Sequence, residues 1–255
     1  MTPDPELLDG VCVVTGASGG LGRALAHSLA ARGATVACLA RREDALAETC
    51  EGRDGLHPFI CDVGDPASVD EAFAALRALG PVRVLVNNAA VYPRRDVLDE
   101  TAESFMQTVS VNLGGTFAAS RAALDDMVAE GRGRILNVAT FADIAPIPLS
   151  AGYSVSKGAA RILTRAMLAD LGDRFPDIVI GDWLPGMLRT GMGIPDGVAP
   201  EEAAEWGATL ALWHDRSLSG TTFEMATELL PGRGLKGRVK DLLMMRRRAQ
   251  PRRLA

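Results

Sequence analysis

The sequence predicts an α/β fold, a doubly wound and mostly parallel sheet flanked by helices. Three observations carry that expectation. Short apolar, β-rich runs alternate with longer stretches of helical periodicity along the 255-residue chain, and parallel strands with crossover helices on both faces satisfy such a rhythm. The first apolar run ends in a glycine-rich turn, Thr15-Gly16-Ala17-Ser18-Gly19-Gly20-Leu21-Gly22, which opens onto a helical pattern. Residues able to do chemistry fall just after the apolar runs: Gly16, Arg41, Asp62, Asn88, Thr140 and Pro185-Gly186. In open parallel sheets that is the ligand-binding edge, near the topological switch point.

The elements follow in order. Val11–Thr15 reads as a buried strand and Gly20–Arg32 as a helix; Thr35–Ala40 is the second strand, with a helix after it to about Glu51. His57–Cys61 is the third strand. The next helix begins at Pro66, a residue preset for a first helical turn, with Asp65 as its N-cap. Val82–Val86 is the fourth strand, and one long helical stretch runs from Glu103 to Glu130. Arg134–Val138 is the fifth strand, Ser154–Leu171 a helix, Ile178–Leu184 the sixth strand and Pro200–Trp213 another helix. Thr222–Met225 closes the series as a short strand.

Composition bounds the function. Hydrophobic residues make up 47% of the chain, enough for a sizeable core and far above a disordered chain. No linker-like segment divides residues 1–230, which are expected to form one domain. The formal net charge of −5 argues against nucleic acid as partner. The four cysteines, Cys12, Cys38, Cys50 and Cys61, form no C-x-x-C pair, and no His/Cys cluster has metal-ligand spacing, so no metal is expected. The acidic, proline-containing start lacks a signal-peptide pattern, and no apolar run is long enough for a membrane span. A cytoplasmic location is the simplest reading.

The glycine turn suits a dinucleotide. Glycines permit a tight turn and close approach of backbone to phosphate, and the following helix aims its positive N-terminus at the anion. An acid at the end of the second strand would bind a ribose 2′-hydroxyl. This chain has Ala40 and then Arg41 and Arg42, and a guanidinium binds a 2′-phosphate through charge-assisted hydrogen bonds. NADP(H) is therefore the expected cofactor. Near mid-chain, Tyr153-Ser154-Val155-Ser156-Lys157 places a phenol and an ammonium on one helix face. Tyr153 can serve as general acid and base, and Lys157, one turn away, is expected to lower its pKa.

With these motifs in place the chain resembles the short-chain dehydrogenase/reductase family over about residues 8–226. The resemblance rests on Thr15-Gly-x-x-x-Gly-x-Gly22, Cys61-Asp62-Val63, Asn87-Asn88-Ala89-Ala90, Asn112, Tyr153-x-x-x-Lys157, and Pro185-Gly186 followed by Thr190. It implies a Rossmann-like domain and hydride transfer between a nicotinamide and a carbonyl/alcohol pair. It implies catalytic roles for Asn112, Thr140, Tyr153 and Lys157, with Asn112 holding a relay water and Lys157 also touching the nicotinamide ribose. It implies cofactor contacts from Gly16, Ser18, Gly20, Leu21, Gly22, Arg41, Arg42, Asp62, Val63, Asn88, Tyr153, Lys157, Pro185, Gly186, Leu188 and Thr190. A homodimer or homotetramer is likewise implied by the resemblance alone. The chain departs from the family pattern at Thr140, where a serine is usual. Threonine keeps the hydroxyl and adds a methyl that stiffens χ1. Ala90 stands where glycine is common, and Gly181 where an asparagine often precedes Pro-Gly.

The segment after Pro185-Gly186 is expected to close over substrate. Met187–Ala199 is short, which suggests an open site or a contribution from the C-terminus. Tyr92, Pro146, Ile147, Leu149, Trp183, Met187 and Met192 are candidates for an apolar pocket or for ordinary packing. Arg94 and Arg95 are candidates for an anionic substrate or for plain solvation. His27, His57 and His214 fit no triad. From Arg233 onward the chain is basic, and Leu235, Val239, Leu242 and Leu243 have helical spacing. This tail, 231–255, reads as a docking helix at a subunit interface, with a membrane-surface helix or a disordered end as alternatives. The expected function is an NADP(H)-dependent reductase of a ketone or aldehyde, or oxidation of the corresponding alcohol. The alternatives are an NAD-linked alcohol dehydrogenase and a non-catalytic NADP-binding sensor.

Overall fold

A computed structural model describes residues 3–230 and 250–254. Its strands are β1 (Val11–Thr15), β2 (Thr35–Ala40), β3 (Leu56–Ile60), β4 (Val82–Asn87), β5 (Gly133–Val138), β6 (Ile178–Leu184), β7 (Thr222–Glu224) and β8 (Thr227–Leu229). They form one sheet in the order β3-β2-β1-β4-β5-β6-β7-β8, parallel except for the β7–β8 hairpin. The helices are α1 (Pro5–Leu8), α2 (Gly20–Ala30), α3 (Glu43–Cys50), α4 (Pro66–Leu76), α5 (Ala102–Val109), α6 (Gly115–Glu130), α7 (Ala151–Leu171) and α8 (Pro200–Ala211). The switch point lies between β1 and β4, where the chain stops building one way and starts building the other.

Period-two alternation divides the strand side chains between two cores. Cys12, Val14, Val36, Val84, Val86, Leu136 and Trp183 enter one core, which also contains Leu25 of α2 and Ala208 of α8. Val11, Val13, Leu39, Leu85, Ile135 and Ile180 enter the other, with Phe73 of α4 and Met127 of α6. Both faces are covered, so these strands read as continuous apolar runs.

Local signals set several element ends. Asp65 accepts from the Ala67 amide and Pro66 opens α4. Thr101 and Ser104 make a reciprocal capping box on α5. The stretch expected as one helix from Glu103 to Glu130 is interrupted: Ser110–Gly114 is a π-helical segment joining α5 to α6. A widened turn of this kind often marks a functional position, and single-residue periodicity does not reveal it.

At the other end of the sheet, Met225 is not a strand residue. It occupies the β7–β8 turn with φ 48°, and β8 follows it unanticipated. The expected tail helix over Leu235–Leu243 lies outside the described residues. Residues 250–254 add an extended segment to β8: the Glu228 amide donates to Arg252 O (2.9 Å) and the Leu254 amide to Ala226 O (2.8 Å). Arg252 also pairs with Glu228 at 2.8 Å, and Leu254 is buried in the first core. No helix among the described residues is long and apolar enough to cross a membrane.

Candidate active site

The carboxyl ends of β1, β2, β4, β5 and β6 open onto a cleft of about 980 Å³. The sequence-assigned cofactor residues all line it: Gly16, Ser18, Gly20, Leu21, Gly22, Arg41, Arg42, Asp62, Val63, Asn88, Tyr153, Lys157, Pro185, Gly186, Leu188 and Thr190. Thr140 joins them, whereas Asn112 is fully buried behind the cleft wall.

The glycine turn is shaped for a ligand that presses on backbone. Gly16 has φ 69°, and a Cβ on Gly22 would sit 2.2 Å from the Gly16 carbonyl oxygen. No side chain caps the first turn of α2, where Gly19 is the N-cap, so its amides remain available to an anion. Asn88 fastens this turn to β4: its amide donates to Thr15 Oγ1 (3.0 Å) and its Nδ2 to Thr15 O (2.9 Å). Arg41 and Arg42 flank the turn. Arg42 Nη2 lies 3.4 Å from Ser18 Oγ, and Arg41 Nη1 lies 3.8 Å from Asp62 Oδ2. This cradle fits a dinucleotide, with cationic groups next to Ser18.

The catalytic candidates meet across β5 and α7. Tyr153 and Lys157 lie one turn apart on α7, facing the cleft. Lys157 Nζ donates to Val138 O at 2.9 Å. Thr140 caps a single 3-10 turn, Phe141–Asp143, by accepting from the Ala142 amide (3.2 Å), which leaves its own hydroxyl proton free. That hydroxyl lies near enough to Tyr153 to oppose the rise in the phenol's pKa. The Tyr153 ring stacks on Tyr92 at 4.6 Å between centroids, and the Arg94 guanidinium lies over the Tyr92 ring, 5.4 Å from its centroid. Ser150, three residues before Tyr153, is buried and bonded to Ser154.

The electrostatics correct one expectation. Burial pushes the Tyr153 hydroxyl above its ordinary value, the Thr140 hydroxyl pulls against this, and Tyr92 and Asp143 add to the rise. Lys157 does not lower it in this arrangement: its ammonium is turned to the Val138 carbonyl. Burial lowers Lys157 itself to about 8, opposed by the charge of Asp182. Asp182 is nearly fully buried, and burial raises its carboxyl to about 6, with the Thr164 hydroxyl bond and Arg161 opposing.

A buried polar chain underlies this pair. Asn87 Nδ2 donates to Ser120 Oγ (2.9 Å) and to Asn137 Oδ1 (2.8 Å); Asn137 Nδ2 donates to Thr164 Oγ1 (2.9 Å); and Thr164 donates to Asp182 Oδ1 (2.7 Å). Sequence reading missed Asp182, although a lone acid in the run Ile178–Leu184 was a visible signal. Asn112 sits in the π-helical segment, bonded to both backbone groups of Val91 (2.8 and 3.0 Å) and to Ser156 Oγ (3.0 Å). It braces the loop after β4 against α7.

Among the pocket candidates, Tyr92, Ile147, Leu149, Met187 and Met192 line the cleft, and Phe141 and Ile194, which the sequence did not single out, join them. Trp183 does not: it is fully buried in the first core with its indole N–H on Met225 O (3.0 Å). Pro146 is exposed away from the lining. Arg95 pairs with Glu100 at 2.8 Å, and Arg94 Nη2 donates to Met192 O and Gly193 O, both at 3.0 Å. Among the described residues no cluster of three metal-ligating side chains occurs.

The chain is similar to known proteins in sequence and in fold. The family model described as short chain dehydrogenase matches residues 10–197. The chain is 35% identical to carbonyl reductase [NADPH] 2 of Sus scrofa, over 71% of this chain and 72% of that protein. It is 33% identical to galactitol 2-dehydrogenase (L-tagatose-forming) of Cereibacter sphaeroides, over 78% and 80%, and 36% identical to L-2,3-butanediol dehydrogenase of Corynebacterium glutamicum, over 71% and 73%. A solved structure of a short chain dehydrogenase/reductase family protein superposes with a TM-score of 0.76 at 31% identity, covering 86% of this chain and 97% of that one.

Proposed function

The chain belongs to the short-chain dehydrogenase/reductase family, a family of nicotinamide-dependent oxidoreductases, and from that premise we propose that it interconverts a ketone or aldehyde and its alcohol with NADP(H). One observation carries the proposal: a single cleft holds the Thr140–Tyr153–Lys157 group at one end and Ser18, Arg41 and Arg42 beside the glycine turn at the other.

When bound, the nicotinamide supplies the hydride for reduction or takes it in oxidation. The backbone amides at the start of α2 would hold the pyrophosphate, and Arg41 and Arg42 the 2′-phosphate that distinguishes NADP(H). The protein's own groups manage charge and proton at the carbonyl. Thr140 donates its free hydroxyl proton to the oxygen on which charge develops. Tyr153, whose phenol burial holds above its ordinary value, delivers a proton to that oxygen in reduction and accepts it back in oxidation. Lys157, with a pKa of about 8, is mostly an ammonium at neutral pH, and from its place on the Val138 carbonyl it would hold the nicotinamide ribose beside Tyr153. Asn112 holds the π-helical segment against the loop after β4 and so keeps the Tyr153 wall in place.

The test has two parts. NADPH and NADH consumption is followed with a panel of carbonyl compounds, and NADPH is expected to win. Tyr153→Phe is expected to cut turnover by about 10²–10⁴ with NADPH binding intact. Preference for NADH would move the assignment to an NAD-linked enzyme. Tight NADPH binding with no turnover of any carbonyl or alcohol would make the chain a binding protein instead.

A further inference from the structure

Three loops form the mouth of the cleft beyond Tyr153: residues 88–96 after β4, 140–150 after β5 and 185–199 after β6. They are joined to one another. Arg95 and Ser150 make a parallel bridge between the first two. Arg94 ties the first to the third through Met192 O and Gly193 O. The third closes on itself, with Leu188 bridged to Val198. The mouth is therefore a braced rim.

The backbone at that rim is held in an unusual state. Arg94 and Leu149 each directly precede one of the bridged residues, and both are left-handed, with φ 47° and 63°. A branched apolar residue rarely adopts this conformation, and such strain persists where surrounding contacts over-determine it. At Leu149 its outcome is an isobutyl group presented to the cleft.

Five more apolar side chains share the lining: Phe141, Ile147, Met187, Met192 and Ile194. With Leu149 they are between 39% and 67% exposed, unlike the closed cores beneath. Polar groups at this end are few. The hydroxyls of Thr140 and Tyr153 serve the reacting oxygen, which leaves Tyr92 and Arg94. Arg94 is committed to two carbonyls and the Tyr92 ring. Among the described residues the cleft lining contains one carboxylate, Asp62, beside Arg41 at the opposite end. A polyol would bury hydroxyls against partners that cannot pair them, and a carboxylate would have to break the Arg94 clasp.

From this we infer that the substrate is an apolar ketone or secondary alcohol, in which an aryl or branched alkyl group beside the reacting carbon fills the rim around Leu149. The inference rests on the reaction proposed above and names its substrate class.

The experiment compares kcat/KM of the full chain with NADPH for acetophenone, dihydroxyacetone and pyruvate. Acetophenone is expected to exceed both others by about 100-fold. Leu149→Asn keeps a residue tolerant of left-handed backbone and removes the apolar group. It should shrink the acetophenone-to-dihydroxyacetone ratio by about tenfold. Met187→Gln, at an exposed position, gives a second reading of the same ratio should the first variant melt early. A preference for dihydroxyacetone or pyruvate, or ratios unmoved in both variants, would overturn the inference. A separate arm measures acetophenone binding to Tyr153→Phe protein loaded with NADP⁺ by calorimetry. If no ketone is turned over, the proposed reaction fails. Acetophenone binding weakened by Leu149→Asn then still supports the substrate class, and no binding overturns it.

Discussion

The two ends of the cleft are built by different means. At the glycine turn the protein presents backbone: positive-φ glycines, uncapped amides at the start of α2, and Asn88 stitching β1 to β4. At the mouth it presents side chains from three loops, braced by one bridge and one arginine clasp. A pyrophosphate is the same in every dinucleotide, so the turn that meets it is confined to a few residue types. A substrate side chain has no such fixed shape, and apolar residues at several loop positions can meet it. The first end therefore leaves a motif in the sequence, and the second leaves a composition spread over a hundred residues.

Substitutions that act on one end and not the other test that division. After loss of the Tyr153 hydroxyl, the largest effect is expected at Thr140, on the substrate side. Thr140→Ala removes a donor to the developing oxyanion and should cost about 10²–10³ in single-turnover rate, while NADPH affinity stays within about twofold. Thr140→Ser keeps the donor and should retain most of the rate. Equal rates for Ala, Ser and Thr would show that the hydroxyl only caps the Phe141–Asp143 turn.

Next comes the cofactor end. Arg41→Ala combined with Arg42→Ala should weaken NADPH binding by about 10–100-fold and NADH binding far less, since charge-assisted bonds to a phosphate are lost. The ranking of ketones should not move. A changed ranking would mean that the two ends are coupled where Thr190, of the loop after β6, lies beside Gly20 with little more room than a methyl group needs.

Gly22→Ala probes the same end through packing. Its Cβ would meet the Gly16 oxygen and the Asn88 amide, so the turn must shift. A loss of about 1–3 kcal/mol in stability is expected, read by denaturant titration, and NADPH binding should fall with it. An unchanged midpoint would show that the turn is looser than its close contacts imply.

The smallest effect belongs to the polar chain under Tyr153 and Lys157. Burial raises the Asp182 carboxyl from 3.8 to about 6, so the folded protein binds a proton there that the unfolded chain releases. That contribution to stability is full below pH 4 and is lost as pH rises through 6. Asp182→Asn should flatten this decline, by an amount on the order of 1–3 kcal/mol across the window. Denaturant unfolding at a series of pH values reads it directly, and an unaltered slope would relocate the titrating group.

Much of the fold was legible because its signals are local. The bounds of β1, β2 and β6 follow from apolar runs, and the start of α4 follows from Asp65-Pro66. Other features are not local. Nothing in the run Glu103–Glu130 marks the widened turn at Ser110–Gly114, which brings Asn112 against Val91 and Ser156, residues distant in sequence. From the sequence Trp183 was a candidate for an apolar pocket or for ordinary packing. Both faces of β6 are covered, however, so the parity that sends Asp182 toward Thr164 sends Trp183 into the opposite core. The docking of Arg252 and Leu254 on β8 depends on a hairpin too short to be read as a periodic pattern.

What the sequence by itself determined is the backbone framework and the groups hung on it: a parallel doubly wound sheet, a glycine-rich turn after the first strand, a phenol and an ammonium one helical turn apart, and two arginines after the second strand. These depend on spacing along one or two adjacent elements. The tertiary structure alone decided which residues share the cleft mouth, that Arg94 is a clasp and not a free anion site, and that Lys157 faces Val138 above a buried Asp182. Such outcomes are set by contacts between segments 19 to 99 residues apart, whose relative placement depends on packing the whole sheet and not on any local pattern.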